Sequence, residues 1–90
     1  MRIIPKLSVE KAIKKFTTQQ KLEFDAALRE IIQNPLVGEN KRGDLAGIKV
    51  YKFKMNQQLT LVAYHCNESL DTLWLLKIGL LENFYRDLKH

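Results

Sequence analysis

The chain has 90 residues, a hydrophobic share of 46% and a formal net charge of +5. This length predicts a single domain over residues 1–90, and this hydrophobic share excludes wholesale disorder. With Cys66 as the sole cysteine, an intramolecular disulfide is excluded and a zinc site of the usual kind lacks ligands. The sequence shows no apolar run long enough to span a membrane and no N-terminal export signal, so we expect a soluble cytoplasmic protein. The positive net charge favours an anionic partner.

The N-terminal residues predict a short strand and a first helix. The segment from Arg2 to Leu7 fits an edge strand, because Pro5 has no N–H for an inner ladder. Ser8 is the predicted N-cap of the helix that follows. Its apolar positions have helical spacing: Val9, Ala12, Ile13 and Phe16.

A second amphipathic helix is predicted from about Gln19 to Gln33, with Thr18 as its cap. Asn34-Pro35 ends it, because a residue before proline disfavours the helical conformation. The two helices form an αα-hairpin. The segment from Pro35 to Gly47 is a loop whose glycine spacing is not a phosphate-binding fingerprint.

Three strands and a short helix are predicted after this loop. The strands run from Ile48 to Met55, from Leu59 to Cys66 and from Leu70 to Ile78, and the helix covers Glu82 to Lys89. The third strand is apolar on both faces, which favours a central position with Trp74 in the core. We therefore predict an α+β fold, in which an N-terminal strand and an αα-hairpin pack on an antiparallel β-sheet (β-α-α-β-β-β) with a short C-terminal helix.

The segment 41–54 is rich in basic residues and passes from the loop into a strand. In the strand, Lys52 and Lys54 share one parity and Tyr51 and Phe53 share the other. Because successive strand side chains point to opposite faces, the lysines project together from a sheet face that the helices leave uncovered. Such a pair suits a phosphate backbone, although it is equally typical of a solvated face that lysine protects from edge pairing.

Five segments together resemble the RelE/ParE superfamily of bacterial toxins from type II toxin–antitoxin modules. They are Asn34-Pro35, the loop 43–47, Val50-Tyr51-Lys52-Phe53-Lys54, Leu61-Val62-Ala63-Tyr64 and the terminal Glu82-Asn83-Phe84-Tyr85-Arg86-Asp87-Leu88. The last segment is similar to a subgroup described as RelE-like translational repressors.

The resemblance implies a ribosome-dependent mRNA endonuclease that inhibits translation. In RelE-type toxins the 2′-hydroxyl of the RNA attacks the adjacent phosphate, and no metal or other cofactor is needed. Lys52 and Lys54 match the family's two strand lysines, and Tyr85 lies near the family's C-terminal tyrosine. The implied partners are a cognate antitoxin protein, the ribosome and mRNA, with an acidic, amphipathic antitoxin segment binding across the helices or the basic sheet face.

The resemblance also suggests roles for the basic residues. Lys54 would take a proton from the 2′-oxygen or stabilise charge near it, and Lys52 would neutralise the scissile phosphate. Tyr85 would stack on a base or donate a proton, although packing of the C-terminal helix explains it equally well. Arg86 would bind the transition-state phosphate through its guanidinium fork, although it also fits a plain exposed charge of that helix. Lys49 would steer RNA towards this site. Two loop residues complete the predicted RNA-binding set: Lys41 and Arg42.

The sequence departs from the family at two positions where RelE-type toxins carry arginine. Leu61 stands in the second strand, and Leu80 and Leu81 stand just after the third, at the place of the second arginine. The groups that could substitute are Arg86, Lys77, Lys49 and His65. The departures keep two alternatives open, which are a ParE-like inhibitor of DNA gyrase and a non-catalytic protein of the same fold that binds an antitoxin.

Overall fold

The computed structural model describes residues 1–40 and 47–88, with side chains as far as Phe84. Within these ranges one five-stranded sheet has the order β1-β5-β4-β3-β2. The strands are β1 (Arg2–Pro5), β2 (Glu39–Asn40), β3 (Lys49–Met55), β4 (Gln58–Asn67) and β5 (Thr72–Leu80), and the helices are α1 (Leu7–Lys14), α2 (Thr18–Gln33) and α3 (Leu81–Leu88). The predicted α+β fold is confirmed.

The sheet is mixed rather than wholly antiparallel. The strands β3, β4 and β5 form the predicted antiparallel meander, but β1 pairs with β5 in parallel. The two-residue strand β2, which the sequence did not predict, adds to the free edge of β3. Thus β5 is an inner strand, as its apolar sequence indicated, and β1 is an edge strand, as Pro5 indicated.

The helix boundaries differ slightly from the prediction. Helix α1 begins at Leu7 with Lys6 at the N-cap position, so Ser8 is not a cap. The cap of α2 is Thr17 rather than Thr18, because the Thr17 hydroxyl accepts from the Gln20 N–H at 3.1 Å while the Gln20 side chain accepts from the Thr17 N–H at 2.9 Å. This reciprocal pair is a capping box, and it fixes the start of α2.

The αα-hairpin covers one face of the sheet, which we call the helix-covered face. Its buried core contains Val9, Phe24, Ile31, Met55, Val62, Tyr64, Leu73 and Leu75. Tyr51 and Phe53 of β3 pack against this core, as their parity predicted. The β3–β4 turn is held to α2, because the Asn56 N–H donates to the Glu23 carboxylate at 3.2 Å. Both strands of this hairpin are therefore anchored to the helices.

The opposite face, which carries Lys52 and Lys54, is called the lysine face. A β-bulge in the pairing of β4 with β5 lies between Ala63 and Tyr64, and Leu76 is the residue left unpaired there. Leu76 packs with Ala63 and Phe84 of α3 in a second, smaller core. Helix α3 therefore covers part of the face that the sequence had suggested was bare. No helix in the described ranges is long and apolar enough to cross a membrane.

Candidate functional site

Two lysines project from the lysine face on the regular part of β3. Lys52 and Lys54 are both exposed, and they pair across the sheet with Leu61 and Leu59 of β4. Residues two apart on a strand lie on the order of 7 Å apart, so the two ammonium groups can reach neighbouring oxygens of one phosphodiester backbone. Because the other face of β3 is packed on the helices, the backbone that carries the two lysines is held in place.

A hydrophobic patch lies beside the lysines. Val50, Leu61 and Ala63 are buried there together with Phe84, which is 1% exposed. Because α3 packs on the sheet through Phe84, the helix is held against β4, the strand that pairs with the two lysines. The lysine pair therefore lies at the edge of a covered region rather than on a flat, bare sheet.

A cleft of about 340 Å³ lies next to Lys54. It is lined by Gln58, Leu59, Leu80, Leu81 and Glu82. Leu59 is the direct cross-strand neighbour of Lys54, and residues so paired have Cβ atoms about 5 Å apart. The cleft thus combines an apolar wall with polar groups at its rim, and it lies within reach of a lysine ammonium.

Lys49 lies on the other side of the sheet. It pairs with Tyr64 of the helix-covered face, is half-buried, and its ammonium contacts the Asn40 side chain of β2. The structure therefore places Lys49 on the opposite face from Lys52 and Lys54. The sequence already indicated this, because Lys49 has the same parity as the aromatic residues of β3. RNA contact by Lys49 stays a prediction that concerns a separate surface.

His65 is also distant from the pair. It lies on the lysine face, but six strand positions separate its row from that of Lys54, which is about 20 Å. The His65 Nδ1 is 2.9 Å from the Gly47 carbonyl oxygen. Since a carbonyl only accepts, Nδ1 carries the proton that is donated. The structure thus gives His65 no role beside Lys54. Lys77 pairs with Ala63 on the lysine face and is nearer to Lys54 than His65 is.

The remaining predicted residues fall at the limits of the description. Tyr85 and Arg86 follow Phe84 directly in α3, so their backbone stands at the side of the lysine face. Their side chains lie outside the described part of the chain, as do Lys41 and Arg42. In the described part, no group of three or more His, Cys, Asp or Glu residues could hold a metal ion.

The sequence comparison decides the family. A family model described as the ParE-like toxin of type II bacterial toxin–antitoxin systems matches residues 3–89, which is nearly the whole chain. The chain belongs to this toxin family. No curated protein matches the sequence.

Solved toxin structures share the fold of this toxin. A chain of the intact E. coli RelBE toxin–antitoxin complex matches with a TM-score of 0.69 at 15% identity, over 88% of this chain and 94% of that one. The isolated E. coli RelE toxin gives 0.67 at 15%, over 98% and 95%. The YoeB/ParE toxin from Agrobacterium tumefaciens gives 0.67 at 15%, over 89% and 98%. At these identities the similarity shows a common fold.

The fold explains one departure of this toxin from the family pattern. Leu61, at a position where the resemblance implies an arginine, is 0% exposed and packs in the core that receives Phe84. A guanidinium there would be buried without a partner or would displace α3, and both are costly. Leu81, the second departure, is 41% exposed and lines the cleft. An arginine at that position would meet no such obstacle.

Sequence reasoning misjudged or overlooked two aromatic residues of the toxin. Trp74 was predicted in the core but is 39% exposed on the lysine face. Tyr64 received no role, yet its buried phenol donates to the Pro35 carbonyl at 2.7 Å and accepts from the Gly38 N–H at 2.9 Å. Burial raises the pKa of this phenol above 10.0. Tyr64 thereby fixes the loop that leads from α2 to β2.

Proposed function

We propose that this toxin is a ribosome-dependent mRNA endonuclease that inhibits translation. The observation that carries the proposal is the exposed pair Lys52 and Lys54 on β3, beside a cleft of about 340 Å³. RNA cleavage by an internal 2′-hydroxyl requires a held phosphate and stabilisation of the charge that develops on it. Two fixed cations supply such stabilisation without a metal.

The proposed division of labour follows the position of each lysine. Lys54 lies next to the cleft, where it takes the proton of the 2′-oxygen or stabilises its charge. Lys52 lies two residues before Lys54 on the same face of β3, and it neutralises the scissile phosphate. Tyr85 and Arg86 complete the site from α3, with Tyr85 against a base and Arg86 on the phosphate. Lys41 and Arg42 contact the RNA backbone from the loop.

Primer extension in a translation extract tests the proposal. A defined mRNA would be translated with the wild-type toxin, with Lys52→Ala/Lys54→Ala and with Lys11→Ala/Lys15→Ala, each with and without ribosomes. The last variant removes the same charge from two exposed residues of α1. We expect ribosome-dependent cuts for the wild type and the α1 variant and none for the β3 variant. Cuts that persist in a folded β3 variant would contradict the proposal.

The buried Leu61 favours a second candidate function, which is inhibition of DNA gyrase. Leu61 removes one charge that the endonuclease mechanism would use, and the lysine pair would then bind DNA or an acidic protein surface. A supercoiling assay with micromolar toxin separates the two functions. Inhibition of supercoiling, with no ribosome-dependent cuts in the extract, would establish the gyrase function in place of the endonuclease.

We further propose that the helical side of the toxin binds its antitoxin. A groove of about 470 Å³ lies between α1 and α2, with an apolar floor and the charged rim residues Lys21 and Asp25. Leu22 beside it is 61% exposed, and three exposed lysines of α1 lie in the same layer: Lys11, Lys14 and Lys15. These features fit an acidic amphipathic segment. Co-expression with the neighbouring gene product tests this binding. Leu22→Asp should abolish co-purification, whereas the control substitution Leu70→Asp should not.

A further inference from the structure

Trp74 is exposed at the end of the lysine face that lies far from Lys54. It is the only tryptophan of the chain, and 39% of its surface is accessible. Leu73 and Leu75 on either side of it are fully buried in the core under the helices. The indole therefore stands on a rigid inner strand and points away from the core, which is an unusual position for so large an apolar side chain.

The neighbours of Trp74 hold its position on the sheet. Ile4 of β1 and His65 of β4 are its direct cross-strand partners. The His65 ring is tied to the Gly47 carbonyl through Nδ1, so it stands as a fixed second ring beside the indole. The three side chains make one row across β1, β5 and β4.

Basic residues stand on both sides of this row. Arg2 lies two positions before Ile4 in β1, so it projects on the same face and is exposed. Lys6 lies two positions after Ile4, its backbone is still extended, and its N–H donates to the Leu75 carbonyl at 2.8 Å. The parity of the strand therefore places Arg2 and Lys6 on either side of the indole.

Two exposed carboxylates lie in the β4–β5 turn at the end of this surface, Glu68 and Asp71. The Asp71 carboxylate is 3.3 Å from the N-terminal ammonium, which offsets its charge. Glu39 pairs with Val50, so it lies on the lysine face at the far edge of the sheet, on β2. Arg2 and Lys6 thus make the β1 side of Trp74 basic, and the indole shares its face with Lys52, roughly 16 Å away, and with Lys54, roughly 22 Å away.

We propose that Trp74, flanked by Arg2 and Lys6, is a stacking platform for a base of single-stranded RNA. An exposed aromatic ring with cations on both sides is what single-stranded nucleic acid requires, because the base stacks while the cations hold the backbone. Nucleic acid is favoured over a protein partner because the aromatic surface is small and has two cations beside it on β1. The proposal rests on the proposed function only in the choice of RNA as the ligand. The platform would be a second RNA contact on the face that carries Lys52 and Lys54.

The intrinsic fluorescence of the sole tryptophan tests the platform directly. Purified toxin would be titrated with a ten-residue oligoadenylate and, separately, with inorganic polyphosphate of the same charge. A stacked base quenches the indole, whereas a polyanion without bases binds by charge alone. We expect saturable quenching by the oligonucleotide and little by polyphosphate. Equal quenching by the two probes, or none by the RNA, would overturn the proposal.

Variants separate stacking from charge, with binding followed by the anisotropy of labelled oligoadenylate. Trp74→Ala should weaken binding by about 5-fold to 100-fold, the range typical of one stacked base, and Trp74→Phe should restore most of it. Arg2→Ala/Lys6→Ala should lower the salt dependence of the logarithm of the affinity by roughly 0.7 per cation removed. Arg29→Ala on α2 removes one exposed cation that belongs to neither proposed surface, and it is the control for charge. Unchanged affinity in folded Trp74→Ala would overturn the platform.

The outcome is independent of the nuclease assay. Oligonucleotide quenching that survives in Lys52→Ala/Lys54→Ala, together with an absence of ribosome-dependent cuts in the wild type, would remove the proposed function and leave the platform in place. Ribosome-dependent cuts without quenching would do the reverse. A change in Trp74 fluorescence with the antitoxin but not with RNA would mark the surface as a protein interface and overturn the proposal.

Discussion

The Tyr64 hydroxyl accepts a hydrogen bond from the Gly38 N–H at 2.9 Å, and a Cβ atom at Gly38 would lie 2.6 Å from the Tyr64 oxygen. The same hydroxyl donates to the Pro35 carbonyl at 2.7 Å. Two backbone groups of the loop after α2 are therefore satisfied by one buried side chain of β4. This contact sets the position of the chain as it enters β2.

Gly38→Ala should destabilise the toxin by about 1–3 kcal/mol, because neither the backbone nor the buried ring can move aside without loss of packing. Gly79→Ala is the matched control, since a Cβ at Gly79 meets nothing within 4 Å. Its free energy of unfolding should change little. Urea unfolding of both variants checks the prediction, and an equal effect of the two substitutions would contradict it.

The Tyr64 phenol should also make the stability depend on pH in alkaline solution. Burial raises its pKa above the ordinary 10.0, so the folded state holds the proton more tightly than the unfolded state. The stabilisation is fully present below pH 10 and is lost as the pH rises towards the folded pKa. The measurement is the free energy of unfolding between pH 8 and 11 for wild type and Tyr64→Phe. The stability of the wild type should fall more steeply, and parallel curves would count against the prediction.

Thr17→Ala should cost about 1 kcal/mol, because it removes the side-chain acceptor of the capping box at the start of α2. Ser8→Ala should have almost no effect, since Ser8 lies inside α1 and caps nothing. Thermal unfolding of the two variants distinguishes the capping residue that the structure assigns from the one that sequence periodicity assigned. A larger loss for Ser8→Ala would show that the helix boundaries are wrong.

Arginine should have different effects on stability at Leu61 and at Leu81, the two positions where the chain departs from the family pattern. Leu61→Arg buries a charge under Phe84 and should destabilise the toxin by several kcal/mol or detach α3. Leu81→Arg places the same group on the exposed rim of the cleft and should leave the stability unchanged. Because one charge donor at a developing oxyanion is worth on the order of 100-fold, Leu81→Arg should raise the rate of RNA cleavage by up to that factor.

Circular dichroism melts and primer extension check the two arginine variants. The stability of Leu61→Arg is the sharper measurement, since it does not depend on the nuclease proposal. A well-folded Leu61→Arg protein would mean that α3 does not rest on Leu61. A folded Leu81→Arg protein that cleaves no faster would show that the cleft does not hold the scissile phosphate.

The sequence by itself determined the features that depend on local rules. Asn34-Pro35 had to end α2, and the period of two along β3 had to separate Lys52 and Lys54 from Tyr51 and Phe53. The same period also placed Lys49 with the aromatic residues. Apart from β2, the order of helices and strands followed from these local patterns, and a likeness to known toxins followed from the motifs.

Only the tertiary structure decided which faces are covered and by what. Apolar residues on both parities of β5 fit a doubly covered strand, but on the lysine face α3 covers only part of it, so Trp74 stays exposed. The buried state of Leu61 depends on Phe84, which is 23 positions away in the sequence. Contacts between distant segments depend on packing that no local pattern encodes, and these contacts set the surroundings of the lysine pair.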